Sequence, residues 1–344
     1  MKKPVALFSV SSLGLGHASR TLPLIQSYQA THDIHIISAG NALTFFREEV
    51  KDAFFYECQD YPPLERGRGF GFYWHIIVDS IITVVRIRRE HTFVQSLIQK
   101  IHPQFIISDG RYGSYDEKIP SFLISHQISF VMPRGLGIFQ GIADFFNHRA
   151  FNQFTSLIIP DYEYEGHSLA GALSHHPMLA RLKHEYVGIL SAYRKVKMKK
   201  DVEALFVISG YLLEHRQRFI SSLLERARAM SGKKVFILGN PREEKYSYDA
   251  KSDIEMYGLP SHEVKMTLFN RAQRVISRSG YTTIMDLAEL GIPGDLVATP
   301  GQTEQEYLAQ HLEKKGLMGA VIQVPWTTES SIGKIHTLVS QYLS

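Results

Sequence analysis

Arg274-Val275-Ile276-Ser277-Arg278-Ser279-Gly280-Tyr281-Thr282-Thr283-Ile284-Met285-Asp286-Leu287 holds a complete strand–turn–helix unit. Arg274 to Ser277 read as a buried strand. Ser279-Gly280 makes the turn. The spacing predicts a helix over 282–290, stopped by Gly291. The pattern repeats at once, with a strand over Asp295–Ala298 and a helix over 303–315 stopped by Gly316. Short apolar strands without strict alternation, separated by amphipathic helices, require a parallel sheet covered on both faces.

The same alternation extends upstream. Ala204–Ser209 and Lys234–Leu238 read as strands around a helix over 212–230 that ends near Gly232. In the first half, Val5–Val10, Ile34–Ser38, Phe105–Asp109 and Phe122–Ser125 read as strands, and 18–30 and 41–49 as helices. The expected fold is α/β with two doubly wound units. The seam is expected over residues 191–201, where Arg194, Lys195, Lys197, Lys199 and Lys200 form a non-periodic basic run read as a linker. That divides the chain into 1–190, a linker at 191–201, 202–327, and a terminal helix over 328–344.

The chain has 344 residues, 44% hydrophobic and 21% charged, enough for two cores of ordinary size. A net charge of +4 fits phosphate-bearing ligands but is too weak for a nucleic-acid field; no nucleic-acid partner is expected. The single cysteine, Cys58, excludes an internal disulfide and a cysteine-rich zinc site, and suits a reducing compartment. The longest apolar stretch, Ile76–Val85, contains Asp79 and is only about half a membrane span. A cytoplasmic location is expected, with the inner face of the membrane as a candidate position.

Three turns carry the chemistry. Gly14-Leu15-Gly16-His17-Ala18-Ser19-Arg20 follows the first strand. Its glycines permit a tight turn and close backbone approach, and the following helix offers free N–H groups to an anion. His17 opens that helix in a strand-end crevice, where an imidazole that titrates near neutrality reads as an active-site group. In the second turn, Ser279, Thr282 and Thr283 can offer hydroxyls to phosphate, and Asp286 can accept two hydrogen bonds from a ribose diol. The third turn is Thr299-Pro300-Gly301-Gln302-Thr303-Glu304-Gln305-Glu306. It gathers amides and carboxylates of the kind that recognise sugars.

Residues 277–316 resemble the donor-binding signature of GT-B glycosyltransferases, and of family 28 in particular. Arg278-Ser279-Gly280, Thr283, Asp286, Gly291-Ile292-Pro293 and Gln305 fill the family's pattern in order. Gly14–Arg20 resembles its glycine loop with histidine, and Ser209-Gly210-Tyr211 sits at its third glycine-rich turn. The sequence departs from the peptidoglycan enzyme of that family in its shorter glycine run, in Asp286 for Glu, and in Gln305-Glu306 for two glutamines. The resemblance implies two Rossmann-like domains facing a central cleft. The first would bind acceptor and the second a nucleotide sugar, with the terminal helix crossing back to the first.

The resemblance also implies an inverting, metal-independent transfer of a UDP-linked hexose, such as N-acetylglucosamine, to a hydroxyl acceptor. The nucleotide sugar is a co-substrate; no cofactor is expected. Ser279, Gly280 and Thr283 are assigned to the diphosphate, with Arg278 in support, Asp286 to ribose and Gln305 to the sugar. Ser209, Gly210, Thr282 and Gln302 are assigned to the donor site. His17 is the first candidate for the base and Asp109 the second. Gly14, Gly16, Arg20, Arg111 and His126 are assigned to the acceptor side. The Gly/aromatic/Arg stretch at 65–91, with Trp74, Ile77, Ile81, Val84 and Val85 along a helix and Arg86, Arg88 and Arg89 at its end, suits a lipid-linked cell-envelope acceptor at a membrane surface. The competing readings are a UDP-sugar 2-epimerase-like enzyme on the same fold and a non-catalytic sugar-nucleotide-binding protein.

Overall fold

The computed structural model describes residues 3–62, 70–129, 140–208, 213–240, 246–325 and 327–343, with only the backbone for 70–77, 142 and 213–215. The chain forms two compact units, Met1–Ala192 with Thr327–Ser344, and Tyr193–Trp326.

In the first unit, seven parallel strands line up as β3-β2-β1-β4-β5-β6-β7. They are β1 (Val5–Val10), β2 (Asp33–Ser38), β3 (Ala53–Glu57), β4 (Phe105–Asp109), β5 (Ser121–Ile124), β6 (Ser156–Ile159) and β7 (His184–Tyr186). The helices are α1 (Gly16–Tyr28), α2 (Gly40–Glu49), α3 (Phe70–Ile101) and α4 (Gln140–Phe151). Side chains along a strand alternate faces, so Ala6, Phe8 and Val10 of β1 join one core with residues of α1 and α2, such as Leu22, Ile25 and Phe46. Leu7 turns the other way, onto Val94, Leu97 and Ile98 of α3. Burial on both faces explains why these strands read as continuous apolar runs.

The second unit holds β8 (Ala204–Val207), α5 (Leu213–Arg228), β9 (Lys234–Ile237), β10 (Tyr246–Asp249), β11 (Ile254–Tyr257), α6 (His262–Arg271), β12 (Val275–Arg278), α7 (Tyr281–Leu290), β13 (Gly294–Val297) and α8 (Thr303–Lys314). Its sheet order is β10-β11-β9-β8-β12-β13, parallel except for β10 at the edge. The sequence reading missed β10 and β11. Tyr246-Ser247-Tyr248-Asp249 is polar and mostly exposed, so it lacks the apolar run that marks the buried strands.

The last helix, α9 (Ser331–Ser340), belongs to the first unit. Ile335, Leu338 and Val339 enter the same core as α1, and the Ser331 hydroxyl donates to the Ile189 carbonyl at 2.7 Å. The basic run at 193–200 is not a free tether. Tyr193 is buried and stacks on Phe269 and His262. The Asn270 side chain accepts from the Val196 N–H and donates to the Arg194 carbonyl. Polar anchoring of the backbone by one buried asparagine is invisible to composition.

Candidate active site

Sheet order places the first cluster. β1 pairs with β4 and β4 with β5, with Val10 opposite Asp109 and Asp109 opposite Ile124. Order reverses between β1 and β4, the position where doubly wound sheets open a ligand crevice at their carboxyl ends. The loop after β1 turns through Gly14 at φ +83° into α1, whose N-terminus has no side-chain cap. This brings together His17, Arg20, Asp109 and His126 from three strand ends.

His17 Nδ1 lies 2.7 Å from Asp109 Oδ1. A carboxylate at that distance calls for a proton on Nδ1, so that in the neutral tautomer the lone pair lies on Nε2. The imidazole is 26% exposed and the Asp109 side chain 0%. Asp109 also accepts from Arg20 Nε at 2.7 Å, from Arg20 Nη2, and from Thr21 Oγ1 at 2.7 Å. Burial alone would raise its carboxyl, but the Arg20 guanidinium and His17 outweigh burial and hold it well below the usual carboxylate range. Gly110 sits at φ +73°, and a Cβ there would stand 3.0 Å from His17 Cε1. Glycine is required both by the backbone and by the ring beside it.

The structure places the other expected residues of this unit as follows. Asp109 is fully buried, with His17, Arg20 and Thr21 on its carboxylate. Arg20 and His126 are buried, at 1% and 8% exposure; Arg20 Nη1 lies 3.4 Å from His126 Nδ1. Arg111 is fully buried and donates to Glu90 Oε1 at 3.0 Å and to the Cys58 carbonyl at 3.1 Å. Burial would lower its pKa, but Glu90 and Asp60 outweigh burial and keep it protonated. Its partners are thus Glu90 and the backbone of residues 58–59.

The sequence reading missed Asp60. Its Oδ2 accepts from Ser11 Oγ at 2.9 Å, from Ser12 Oγ at 3.0 Å and from the Ser12 backbone N–H, pinning the loop that delivers His17. No motif marks it; its role arises from a sequence separation of 48 residues.

In the second unit, β12 and β13 end side by side, Arg278 opposite Val297, and feed α7 and α8. α7 starts after Gly280 with no side-chain cap. The hydroxyls of Thr282 and Thr283, in its first turn, have no partner among the described residues. Asp286 lies three and four residues further along, on the same helix face as these threonines, and is buried.

Other members of the expected donor set bond to the backbone around them. Ser279 is fully buried and its hydroxyl donates to the Gln305 carbonyl at 2.8 Å. Arg278 donates to the Ala298 carbonyl at 2.8 Å and stacks 3.5 Å over the Phe219 ring, and burial lowers its pKa. Gln305 Oε1 accepts from the Thr299 N–H at 2.9 Å. Gln302 Oε1 is buried, with no hydrogen-bond partner among the described residues. Ser209 and Gly210 lie outside the described residues.

The expected surface segment is partly described. Residues 65–69 lie outside the described residues, and so do the side chains of Trp74 and Ile77. Beyond them α3 exposes Ile81, Ile82, Val84 and Val85, while its later turns enter the core. Arg88 and Arg89 are exposed, whereas Arg86 donates to the Asp60 carbonyl. No described helix is long and apolar enough to cross a membrane.

Residues 235–341 match the Glycosyltransferase family 28 C-terminal domain. No curated protein matches the chain in sequence. Among solved structures, a UDP-glucosyltransferase from Polygonum tinctorium aligns with TM-score 0.61 at 9% identity, covering 100% of both chains. UGT2 of Phytolacca americana, complexed with UDP-2fluoro-glucose and pterostilbene, aligns with TM-score 0.56 at 11% identity, covering 100% of this chain and 94% of that one. MurG of Acinetobacter baumannii aligns with TM-score 0.51 at 12% identity, covering 99% of this chain and 92% of that one. With a family 28 C-terminal domain on a GT-B fold of two Rossmann-like units, the chain is a glycosyltransferase.

Proposed function

We propose that the chain moves a hexose from a UDP-linked donor to a hydroxyl acceptor with inversion, without a metal ion. The observation that carries the reading is the His17–Asp109 pair at the switch point of the first sheet, in a glycosyltransferase fold. The acceptor oxygen attacks the anomeric carbon opposite the diphosphate, and the bond from that carbon to the phosphate oxygen breaks. UDP leaves with the electron pair, and His17 Nε2 takes the hydroxyl proton. The uncapped N-terminus of α7 supports binding of the diphosphate, where its N–H groups stabilise the negative charge that grows on departure. Asp286 holds the ribose diol, and Thr282 and Thr283 assist at the phosphates. The exposed apolar turns of α3, beside Arg88 and Arg89, support a lipid-linked acceptor met at the inner face of the membrane.

Calorimetry with UDP, GDP and dTDP in EDTA tests the donor site. UDP is expected to bind without metal, and Asp286→Ala to weaken it by about 1–3 kcal/mol, the loss from orphaning a hydrogen-bonded partner. His17→Ala is expected to bind UDP normally and to release it from UDP-sugar in the presence of acceptor roughly 100- to 10,000-fold more slowly. Absence of nucleotide binding overturns the reading.

A further inference from the structure

Arg20 lies one turn beyond His17 on α1, yet its guanidinium is buried. Burying a cation is unfavourable unless something at the site requires it. Its Nε and Nη2 both bond the Asp109 carboxylate, and Nη2 stands 3.1 Å from His17 Nδ1. An imidazole backed by a lone carboxylate is drawn to hold a second proton, and an imidazolium cannot accept one from an incoming hydroxyl. A guanidinium shared with the same carboxylate cancels that pull while leaving intact the Nδ1–H bond that fixes the tautomer.

We infer that Arg20 is a positioning residue for the base: it neutralises Asp109 and so keeps the outward nitrogen of His17 open as a proton acceptor. The inference rests on the reading of His17 as the base. Among the described residues, the charged and titratable groups around the ring's inner side include Asp109 at the end of β4, Arg20 on α1 and, beyond Arg20, His126 after β5. Thr21 supplies the remaining contact to the carboxylate and is uncharged.

The test is an ¹⁵N NMR titration of the His17 imidazole in the full chain, without donor or acceptor. The variants are Arg20→Gln, Arg20→Lys, Asp109→Asn and the Arg20→Gln/Asp109→Asn pair. In Arg20→Gln the ring is expected to protonate at higher pH than in wild type, and in Asp109→Asn at lower pH. Arg20→Lys, which keeps the charge, is expected to restore most of the wild-type curve, and the doubly neutral pair to lie near it. If Arg20→Gln does not fold, the pair and the lysine variant carry the same comparison. An Arg20→Gln curve superimposed on wild type, or a lysine variant displaced as far as glutamine, overturns the inference. Once an acceptor is known, the acid limb of the rate profile must move with the ring, by a roughly 5- to 10-fold greater loss at acid pH than at pH 8 in Arg20→Gln. Because the titration needs no turnover, a shifted ring in a chain that binds no nucleotide refutes the proposed transfer and leaves the Arg20 coupling standing.

Discussion

Replacing Gly280 by alanine separates what the fold requires from what a ligand requires. Gly280 precedes α7 at φ −74°, ψ 140°, an extended conformation open to any residue. A Cβ built there meets no atom within 4 Å. Two small effects on stability oppose each other. Alanine lowers unfolded-state entropy, which stabilises by about 0.4–1 kcal/mol, and it is the poorer N-cap by a similar amount. The net change in stability is expected to be under about 1 kcal/mol. The methyl nevertheless occupies the open space before the α7 N–H groups, where the diphosphate is proposed to lie. Loss of one charge-assisted hydrogen bond amounts to about 1.5–3 kcal/mol, a roughly 10- to 150-fold rise in Kd for UDP. Urea denaturation gives the first quantity and calorimetry the second. Gly232→Ala is the control: at φ +70°, with Glu203 Cβ 3.2 Å away, it is expected to destabilise by about 1–2 kcal/mol and to leave UDP binding unchanged. Wild-type affinity in a folded Gly280→Ala protein would refute the placement of the diphosphate at α7.

Gly113→Ala places a Cβ 2.5 Å from the Ile87 carbonyl oxygen and 2.9 Å from the His91 nitrogen. These are backbone atoms that cannot rotate away, so α3 must shift; a loss of about 1–3 kcal/mol in urea denaturation is expected. Ile335→Ala empties a fully buried site on α9; it is expected to destabilise the first unit by about 2–5 kcal/mol, read as an earlier transition of that unit alone. Asp109 has a depressed pKa in the folded state. Its contribution is therefore complete above the ordinary carboxylate value of about 4 and declines as pH falls below it. Tm measured from pH 6 to pH 2 is expected to fall more steeply in wild type than in Asp109→Asn, and equal slopes would remove the linkage.

Periodicity exposed the doubly wound character because strands buried on both faces must be apolar throughout, a property each segment carries locally. Glycine turns were legible for the same reason: Gly291 closes α7 at φ +61° and Gly316 follows α8 at φ +67°, conformations that restrict the residue type. His17 stood out because a titratable ring opened a helix after a strand. The sequence alone thus determined the strand–turn–helix units, the α7 turn and the candidate base. Tertiary structure decided which polar groups remain free, since that depends on partners distant along the chain. Asp109 became the orienting partner only when β1 and β4 paired. Arg20 and Arg111, which read as ligand-binding cations, were drawn inward by Asp109 and Glu90. Ser279 and Arg278 closed onto the backbone of residues 298–305. A hydrogen-bonding side chain reads the same in sequence whether it awaits a ligand or is already satisfied, and only the packed chain distinguishes the two.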